Sequence, residues 1–213
     1  TRWNAPRIAA VNPGKQLPDK EIYPIFRLDG SGTTYAFTHY LSGASEEWKS
    51  AVGTGMHPQF PRGVAATGTP GIATLIEKIP GAIGYASSGY SGGYSLQRAE
   101  IRNAAGNFTL PTAESIAAAA REASATDIMI TNSTAPEAYP ISCFSWVMLY
   151  KEQDYAGRSR GEAEATIRVL RWLAGPEAQA VASRLNYAPL PTEVAAKALE
   201  TLGKVTYKGR KIE

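Results

Sequence analysis

The 213-residue sequence contains little of what metal or disulfide chemistry requires. Cys143 is its only cysteine, which excludes a disulfide within the chain and leaves no cysteine spacing suited to a metal ion. The two histidines, His39 and His57, are too few for a histidine-rich metal site. The sequence therefore predicts no bound metal, and it indicates no other cofactor.

Long apolar runs and strong charge are also absent. The longest apolar stretch, over residues 141–150, is much shorter than the run of about 18 residues that crosses a bilayer. The 22 basic and 19 acidic residues give a net charge of +3, and the basic residues are scattered without a run of five. These features predict no membrane span and no nucleic-acid-binding patch, whereas small anions remain suitable partners.

The 20 glycines and 14 prolines divide the chain into short segments that alternate between strand and helix patterns. Residues 21–27 predict a strand, and Pro24 predicts that this strand lies at a sheet edge or carries a bulge. Apolar residues at helical spacing follow from position 33, and a second short helix is predicted around Trp48. Further helices are predicted over residues 72–79, 113–123 and 163–173 and around Val181 and Val194, further strands over 82–86 and 141–150, and a glycine-rich loop over 61–71. This alternation favours a folded α/β protein.

The sharpest local feature is the string RLDGSGTT, which begins at Arg27, where a predicted strand meets a predicted helix. Amides at a helix start point outward at the positive end of the helix dipole, so a tetrahedral oxyanion can bind at Gly32 and Thr33. The hydroxyls of Ser31 and Thr33 can donate further hydrogen bonds, and the Arg27 guanidinium offers a charge-assisted fork. Asp29 can hold that fork in place, and its carboxylate would favour an oxyanion that carries a proton. The string lacks the Gly-Lys-Ser/Thr ending of a nucleotide-binding P-loop.

Other interpretations of local strings stay open. The segment 29–32 is equally typical of an ordinary turn in which Ser31 caps the following helix. Residues 89–93 match the G-x-S-x-G pattern of serine hydrolases, with Ser91 as the nucleophile. A flexible loop is predicted there, and both histidines precede Ser91, against the order of a hydrolase triad. The remaining conspicuous side chains are predicted to pack inside the protein: Cys143 in the core, and Trp48, Trp146 and Trp172 in the predicted elements.

Several motifs occur in an order that resembles one known family. Besides the string at Arg27 and the Glu-Glu-Trp that follows it, these motifs are Trp3 with Ile8 and Asn12-Pro13-Gly14, Leu17-Pro18-Asp19, Val52-Gly53-Thr54-Gly55, Phe60-Pro61 with Gly63, Gly71-Ile72-Ala73, Pro80 to Ala86, and Leu185 to Pro191. Together they resemble the PstS-type phosphate-binding proteins of bacterial phosphate ABC transporters, and the resemblance covers essentially the whole chain. The chain departs from that family at residues 67–71, where relatives commonly carry a lysine, and at Leu28, which replaces a small residue.

The resemblance implies a fold of the periplasmic-binding-protein type II: an α/β protein with two lobes of mixed sheet flanked by helices. Residues 1–138 would form the second lobe, and residues 139–213 would return to the first lobe. We expect that first lobe to be incomplete in this chain, because the family's usual amino-terminal segment is missing.

The resemblance also implies phosphate binding without catalysis. Arg27 would bind phosphate through its guanidinium with Asp29 as its ion-pair partner, Ser31 would supply a hydroxyl, and Gly32 and Thr33 would supply amides.

The partners that the resemblance implies are inorganic phosphate, the permease subunits of an ABC transporter, and a second chain or segment that completes the first lobe. No nucleic acid is expected. The location would be the periplasm, or the outside of a bacterial cell with a membrane anchor. A sensor or scavenging module of the same fold, for phosphate or a similar oxyanion, is the alternative function, and a serine hydrolase that uses Ser91 is a third hypothesis.

Overall fold

The computed structural model describes residues 1–121, 123 and 129–212, and of residues 91 and 92 it describes the backbone alone. By their contacts these residues form two units, one comprising Thr1–Ala99 and one that begins at Glu100. The division at residue 138 concerns the lobes of a longer fold and stays a prediction. None of the described helices has the length and apolar character that a membrane crossing needs.

The first unit is built around a three-stranded parallel sheet. Its elements are α1 (Pro6–Ala9), β1 (Tyr23–Arg27), α2 (Gly32–Ala44), α3 (Glu46–Ala51), β2 (Val64–Ala66), α4 (Gly68–Lys78), β3 (Ala82–Gly84) and a 3-10 turn at Ser88–Gly93. The strand order is β2-β1-β3, with Ile25 aligned with Val64 on one side and with Gly84 on the other. The helices predicted after position 33 and around Trp48 are confirmed as α2 and α3. Strand β2 was not predicted, because it lies within the glycine-rich stretch 61–71.

β1 is the central strand, so the prediction that Pro24 marks an edge or a bulge is wrong. The stagger of the neighbouring strands explains why a proline fits. β3 pairs with residues 23–25, whereas β2 pairs only with residues 25–27. The Leu28 amide donates to the Ala66 carbonyl at 2.9 Å, on the β2 side. Because alternate amides of a strand point to the same side, the nitrogen of Pro24 also faces the β2 side, ahead of the first paired residue. The missing N–H therefore interrupts no ladder hydrogen bond.

Helix α4 covers one face of this sheet. The buried cluster comprises Ile25, Ala66 and Ile72, with the partly buried Leu75, Ile76, Ile79 and Ala82 packed against it. Its members from α4 recur at spacings of three or four residues, which places them on one side of the helix. This packing fixes the start of α4 at the carboxyl edge of the sheet, close to the end of β1.

The second unit is mainly helical. Its elements are the hairpin of β4 (Ile101–Arg102) and β5 (Phe108–Thr109), α5 (Ala113–Ala120), α6 (Arg160–Ala174), α7 (Pro176–Ala182), a 3-10 turn at Ser183–Leu185, α8 (Thr192–Leu202), and the hairpin of β6 (Thr206–Tyr207) and β7 (Arg210–Lys211). The helices predicted in this part are all present. The helix predicted over 113–123 ends at Ala120, and residue 122 of that stretch lies outside the described residues.

Two apolar clusters organise this second unit. One joins α5 to the segment around residues 130–138, and the other joins α6 to α8 and the last hairpin. Their buried members are Ala118, Ala119, Ala120, Ile130 and Ala138 in the first, and Ala163, Ile167, Leu202, Val205 and Ile212 in the second. Serine and threonine caps begin both α5 and α6, each with a reciprocal side-chain bond from the first turn, which stabilises these starts.

The segment 141–150 differs most from its prediction. In place of a strand, the structure has a single bridge between Cys143 and Met129. Cys143 is exposed rather than a core residue, and Trp146 and Trp172 are about half exposed (51% and 50%) rather than packed inside. Strand-forming residues need a neighbouring strand for their backbone groups, and within the described part of the chain no strand pairs with residues 144–150.

Gly81 shows how closely the backbone is packed at the amino edge of the sheet. Its φ is +89°, and an added Cβ would lie 2.4 Å from the carbonyl oxygen of Glu21. We expect Gly81→Ala to lower the free energy of unfolding by about 1–3 kcal/mol more than Gly14→Ala does. Gly14 lies in the same unit with a φ of +73° and nothing within 4 Å of an added Cβ, so its substitution reports the backbone conformation alone. Urea unfolding of both variants measures the difference, and equal losses would contradict the close approach.

Candidate functional site

The carboxyl edge of the parallel sheet brings the predicted site together. The chain runs from β1 to β2 on one side and then returns across β1 to β3 on the other. In open sheets of parallel strands, ligands bind at the carboxyl ends where the order reverses in this way. Arg27 ends β1 at this edge, and Tyr85 directly follows β3.

Arg27 and Asp29 form a two-pronged ion pair. Arg27 Nε donates to Asp29 Oδ1 at 2.7 Å, and Arg27 Nη2 donates to Asp29 Oδ2. The Arg27 side chain is 12% exposed and that of Asp29 is 37% exposed. The hydrogen bonds from Arg27, and then the one from the Gly68 amide, hold the pKa of the Asp29 carboxyl well below its usual range. The same pair raises the pKa of Arg27, so the site keeps a fixed positive group.

The guanidinium of Arg27 is held by neighbouring groups, but not all of its N–H donors have a partner among the described residues. Of its five N–H groups, two donate to Asp29, and Nη1 lies 3.5 Å from Thr69 Oγ1, a long distance for a hydrogen bond. The backbone of Arg27 is anchored too, because its amide donates to Tyr85 Oη at 3.2 Å, and Tyr85 Oη lies 2.8 Å from Thr34 Oγ1. At least two guanidinium N–H groups therefore remain for a ligand.

Four residues separate the end of β1 at Arg27 from the start of α2 at Gly32. Ser31 is its cap, with Oγ accepting from the Thr34 amide at 3.3 Å, so the interpretation of Ser31 as an ordinary helix cap describes a real contact. Capping uses Ser31 Oγ as an acceptor only, and the hydroxyl hydrogen has no acceptor among the described residues. The amides of Gly32 and Thr33 belong to the first turn, where a helix leaves its N–H groups without partners of its own. Capping and anion binding are therefore compatible here.

A second helix, α4, begins at the same edge. Its Gly68 amide donates to Asp29 Oδ1 at 2.9 Å, and Gly68 has a φ of +67°. The preceding residue, Thr67, makes no side-chain capping bond, so Asp29 takes the place of the cap. Sequence reasoning missed Gly68, Thr69 and Tyr85 as site residues, because it did not predict β2 and so had no reason to place α4 beside Arg27.

The site offers mainly hydrogen-bond donors. Guanidinium N–H groups, first-turn amides and hydroxyls lie around the Arg27 charge, and the carboxylate of Asp29 accepts from Arg27 and Gly68. Such a set suits a small oxyanion. Across the described residues, no group of three or more His, Cys, Asp or Glu side chains is placed to hold a metal ion.

The other singled-out residues lie apart from this set. The Ser91 side chain is outside the described residues, and its backbone belongs to the 3-10 turn at Ser88–Gly93 rather than to a strand-to-helix elbow. His39 is exposed on α2 with its ring 6.2 Å from that of Tyr35, and His57 is exposed in a loop. A serine hydrolase stays a hypothesis that these contacts do not support.

Comparison with known proteins identifies the class. A family model for the PBP superfamily domain matches residues 1–177, and the chain belongs to that superfamily. The predicted fold class, an α/β protein of the periplasmic-binding-protein type, is thereby confirmed.

Its sequence relatives include phosphate-binding proteins named PstS. The chain is 38% identical over 196 residues to the one from Xylella fastidiosa, a match that covers 90% of this chain and 52% of the relative. It is 36% identical over 201 residues to the one from Pasteurella multocida, covering 92% and 57%. The chain thus spans little more than half the length of these curated relatives. A solved structure of a high-affinity periplasmic phosphate-binding protein (PfluDING), bound with phosphate, matches with a TM-score of 0.54 at 17% identity over 85% of this chain and 57% of that one, a likeness of fold alone.

The Asp29 carboxylate should make stability depend on pH. Folding lowers the pKa of this carboxyl. The stability that the carboxylate contributes is therefore present above the ordinary pKa of about 4 and is lost as the pH falls below that value. We expect Asp29→Asn to be less stable than the unmodified chain at pH 7, with the difference shrinking as the pH is lowered through 4. Urea unfolding of both proteins across this pH range measures the difference in their free energies of unfolding.

Asp19→Asn is the matched control for this experiment. Asp19 also pairs with an arginine, Arg2, but both side chains are more than half exposed, so its removal should change stability little. A constant difference between Asp29→Asn and the unmodified chain at every pH would contradict the role given to the carboxylate.

Proposed function

We propose that this chain contributes the anion site of an extracytoplasmic phosphate-binding protein. In the proposal, Arg27 binds phosphate through its free guanidinium N–H groups, Ser31 donates its hydroxyl, and Gly32 and Thr33 donate amides. Asp29 holds Arg27 in place. The complete protein, in the periplasm or anchored outside the cell, would deliver phosphate to the permease subunits of an ABC transporter. The observation that carries the proposal is the partly free Arg27 fork beside the start of α2, in a chain whose relatives are named phosphate-binding proteins.

The charge and burial of Arg27 support this assignment. The Arg27 side chain is 12% exposed and so has little contact with water, and the Asp29 carboxylate neutralises its charge while leaving part of the guanidinium fork free. A bound phosphate can then accept charge-assisted hydrogen bonds from guanidinium groups that are already in place, each contributing about 1.5–3 kcal/mol. Little reorganisation of these groups is needed, which lowers the free-energy cost of binding.

Asp29 also suggests how phosphate would be distinguished from sulfate. Its Oδ1 already accepts from Arg27 and Gly68, whereas Oδ2 accepts from Arg27 and keeps capacity for one more donor. At neutral pH phosphate carries a proton that it can donate to such an oxygen, and sulfate carries none. A carboxylate at the site therefore favours phosphate and repels the unprotonated anion.

The proposal includes a second chain or segment that covers an apolar surface of the second unit. Trp146, Val147, Met148 and Tyr150 are 51%, 61%, 96% and 70% exposed, whereas Leu149 between them packs against the α6–α8 cluster. The backbone groups of residues 145–149 make no hydrogen bond to any described residue. Exposed apolar side chains, together with backbone groups that have no hydrogen-bond partner, are typical of a segment whose neighbouring strand is absent.

We propose that one additional strand covers this surface. It would come from polypeptide that corresponds to the part of the relatives beyond their match to these 213 residues. The curated relatives are nearly twice the length of their match to this chain, so each contains enough further polypeptide to supply such a strand. In that arrangement residues 1–138 would form the second lobe, and residues 139–213 would complete the first with the added polypeptide.

Arg27→Ala tests the phosphate site. Removing two charge-assisted hydrogen bonds at about 1.5 kcal/mol each should weaken phosphate binding by at least about a hundredfold. The measurement is an NMR titration of the isotope-labelled chain with phosphate, followed at the Gly32 and Thr33 amides, with sulfate at equal ionic strength as the comparison anion.

Arg62→Ala is the matched control, because Arg62 is an exposed arginine that precedes β2, at the opposite edge of the same sheet. It removes the same charge from the chain and should leave phosphate affinity unchanged. Equal weakening in both variants would mean that net charge, rather than the Arg27 fork, attracts the anion.

Hydrogen exchange tests the uncovered segment. In the isolated chain the amides of residues 145–149 should exchange almost as fast as unstructured amides, because they have no acceptor. Adding a polypeptide that spans the remainder of the Xylella fastidiosa relative should slow them by at least about a hundredfold. The Ile25 amide, in the central strand, serves as the reference that is slow in both samples. Strong protection of residues 145–149 in the isolated chain would contradict the proposal.

A further inference from the structure

Thr69 lies beside the proposed phosphate site, although it belongs to no part of the string that begins at Arg27. It is the second residue of α4, and it is 9% exposed. Its Oγ1 lies 3.5 Å from Arg27 Nη1. A buried hydroxyl thus lies next to the guanidinium, although Thr69 is 42 residues further along the chain than Arg27.

The hydrogen-bonding capacity of Thr69 is not used within the protein. A threonine hydroxyl can donate one hydrogen bond and accept two. Thr69 Oγ1 has only the long contact from Arg27, and its hydroxyl hydrogen has no acceptor in the part of the chain that the structure describes. A buried hydroxyl left in this condition costs free energy unless something else accepts from it.

The separation of the two groups suits a shared acceptor. Two donors that lie 3.5 Å apart can both reach one oxygen atom at the usual distance of about 2.8 Å. No oxygen of the described residues accepts hydrogen bonds from both Arg27 Nη1 and the Thr69 hydroxyl. An oxygen of a bound oxyanion would satisfy the Arg27 Nη1 group and the Thr69 hydroxyl together.

We propose that Thr69 is a further phosphate-contacting residue, which donates its hydroxyl to the same phosphate oxygen that Arg27 Nη1 binds. This rests on the proposed function and extends the site from the start of α2 to the start of α4. The anion would then lie between two helix starts, with donors from both.

Asp29 fixes the position of Thr69. Its Oδ1 accepts both from Arg27 Nε at 2.7 Å and from the Gly68 amide at 2.9 Å. Gly68 is the residue before Thr69, so one carboxylate oxygen sets the distance between the guanidinium and the first turn of α4. The packing of Ile72 in the buried cluster holds the rest of that helix against the sheet. Thr69 is therefore placed before the ligand arrives.

The test compares Thr69→Val, Thr69→Ser and Thr67→Val in the same phosphate titration as Arg27→Ala. Valine keeps the size of threonine and removes the hydroxyl, so we expect about a tenfold or greater loss of phosphate affinity. Serine keeps the hydroxyl and should bind nearly as well as the unmodified chain. Thr67 is exposed, lies two residues away and makes no capping bond, so Thr67→Val should bind unchanged. Thermal unfolding of each variant measures any loss of folding separately.

Each outcome decides between the two proposals. Loss in Thr69→Val with recovery in Thr69→Ser supports the contact, since a purely structural role would show in the unfolding temperature instead. If the unmodified chain binds phosphate and Arg27→Ala does not, while Thr69→Val binds normally, only the role of Thr69 is overturned. If the amides of Gly32 and Thr33 do not respond to phosphate even in the unmodified chain, the proposed function fails, and the role of Thr69 fails with it.

Discussion

The Asp29 carboxylate is the interaction on which the site depends. It binds the Arg27 guanidinium at the end of β1 and the Gly68 amide at the start of α4, and it stands two residues before the Ser31 cap of α2. One charged group thereby joins the end of β1 to the start of α4, although Asp29 and Gly68 are 39 residues apart in sequence. Without it, a mostly buried arginine would lack its counter-ion, and α4 would lose the acceptor that replaces a cap. The same contacts that stabilise the fold leave the outer N–H groups of Arg27 pointing away from the pair.

The parallel sheet imposes the remaining constraints. Parallel strands need crossover helices, and each helix begins where a strand ends, so the starts of α2 and α4 meet at one edge. The strands are short and staggered, which lets a proline occupy the central strand. The helix also lies very close to the sheet at β3, where a Cβ on Gly84 would lie 2.8 Å from Ile76 Cδ1 and 3.1 Å from the Ile25 carbonyl. Close packing on β3 therefore fixes the face of α4 that meets the sheet, and capping by Asp29 fixes the start of the same helix.

Sequence reasoning predicted those parts whose signals are contiguous. The Arg27–Thr33 string, the helix after it and the capped helix that begins at Ala113 all depend on neighbours within a few residues, and the structure has each of them. Thr69 and Tyr85 could not be found in this way, because only the pairing of β1 with β2 and β3 brings them to Arg27. The position of Pro24 was mispredicted for a related reason: the pattern of one strand does not reveal where its neighbours begin. The segment 141–150 has strand composition, but a strand also needs a partner, and its own sequence does not supply one.

The proposed binding of a dehydrated phosphate sets a physical requirement that the donors of the first unit meet only in part. A phosphate that leaves water must have all four of its oxygens satisfied, since each unsatisfied oxygen carries a large desolvation cost. The described donors, namely the Arg27 fork, the Gly32 and Thr33 amides and the Ser31 and Thr69 hydroxyls, come from one edge of one sheet, so they can approach the anion from one side only. The oxygens on the other side need water or further polypeptide. Under the proposed function, high affinity for phosphate would therefore depend on donors beyond those that this edge of the sheet supplies.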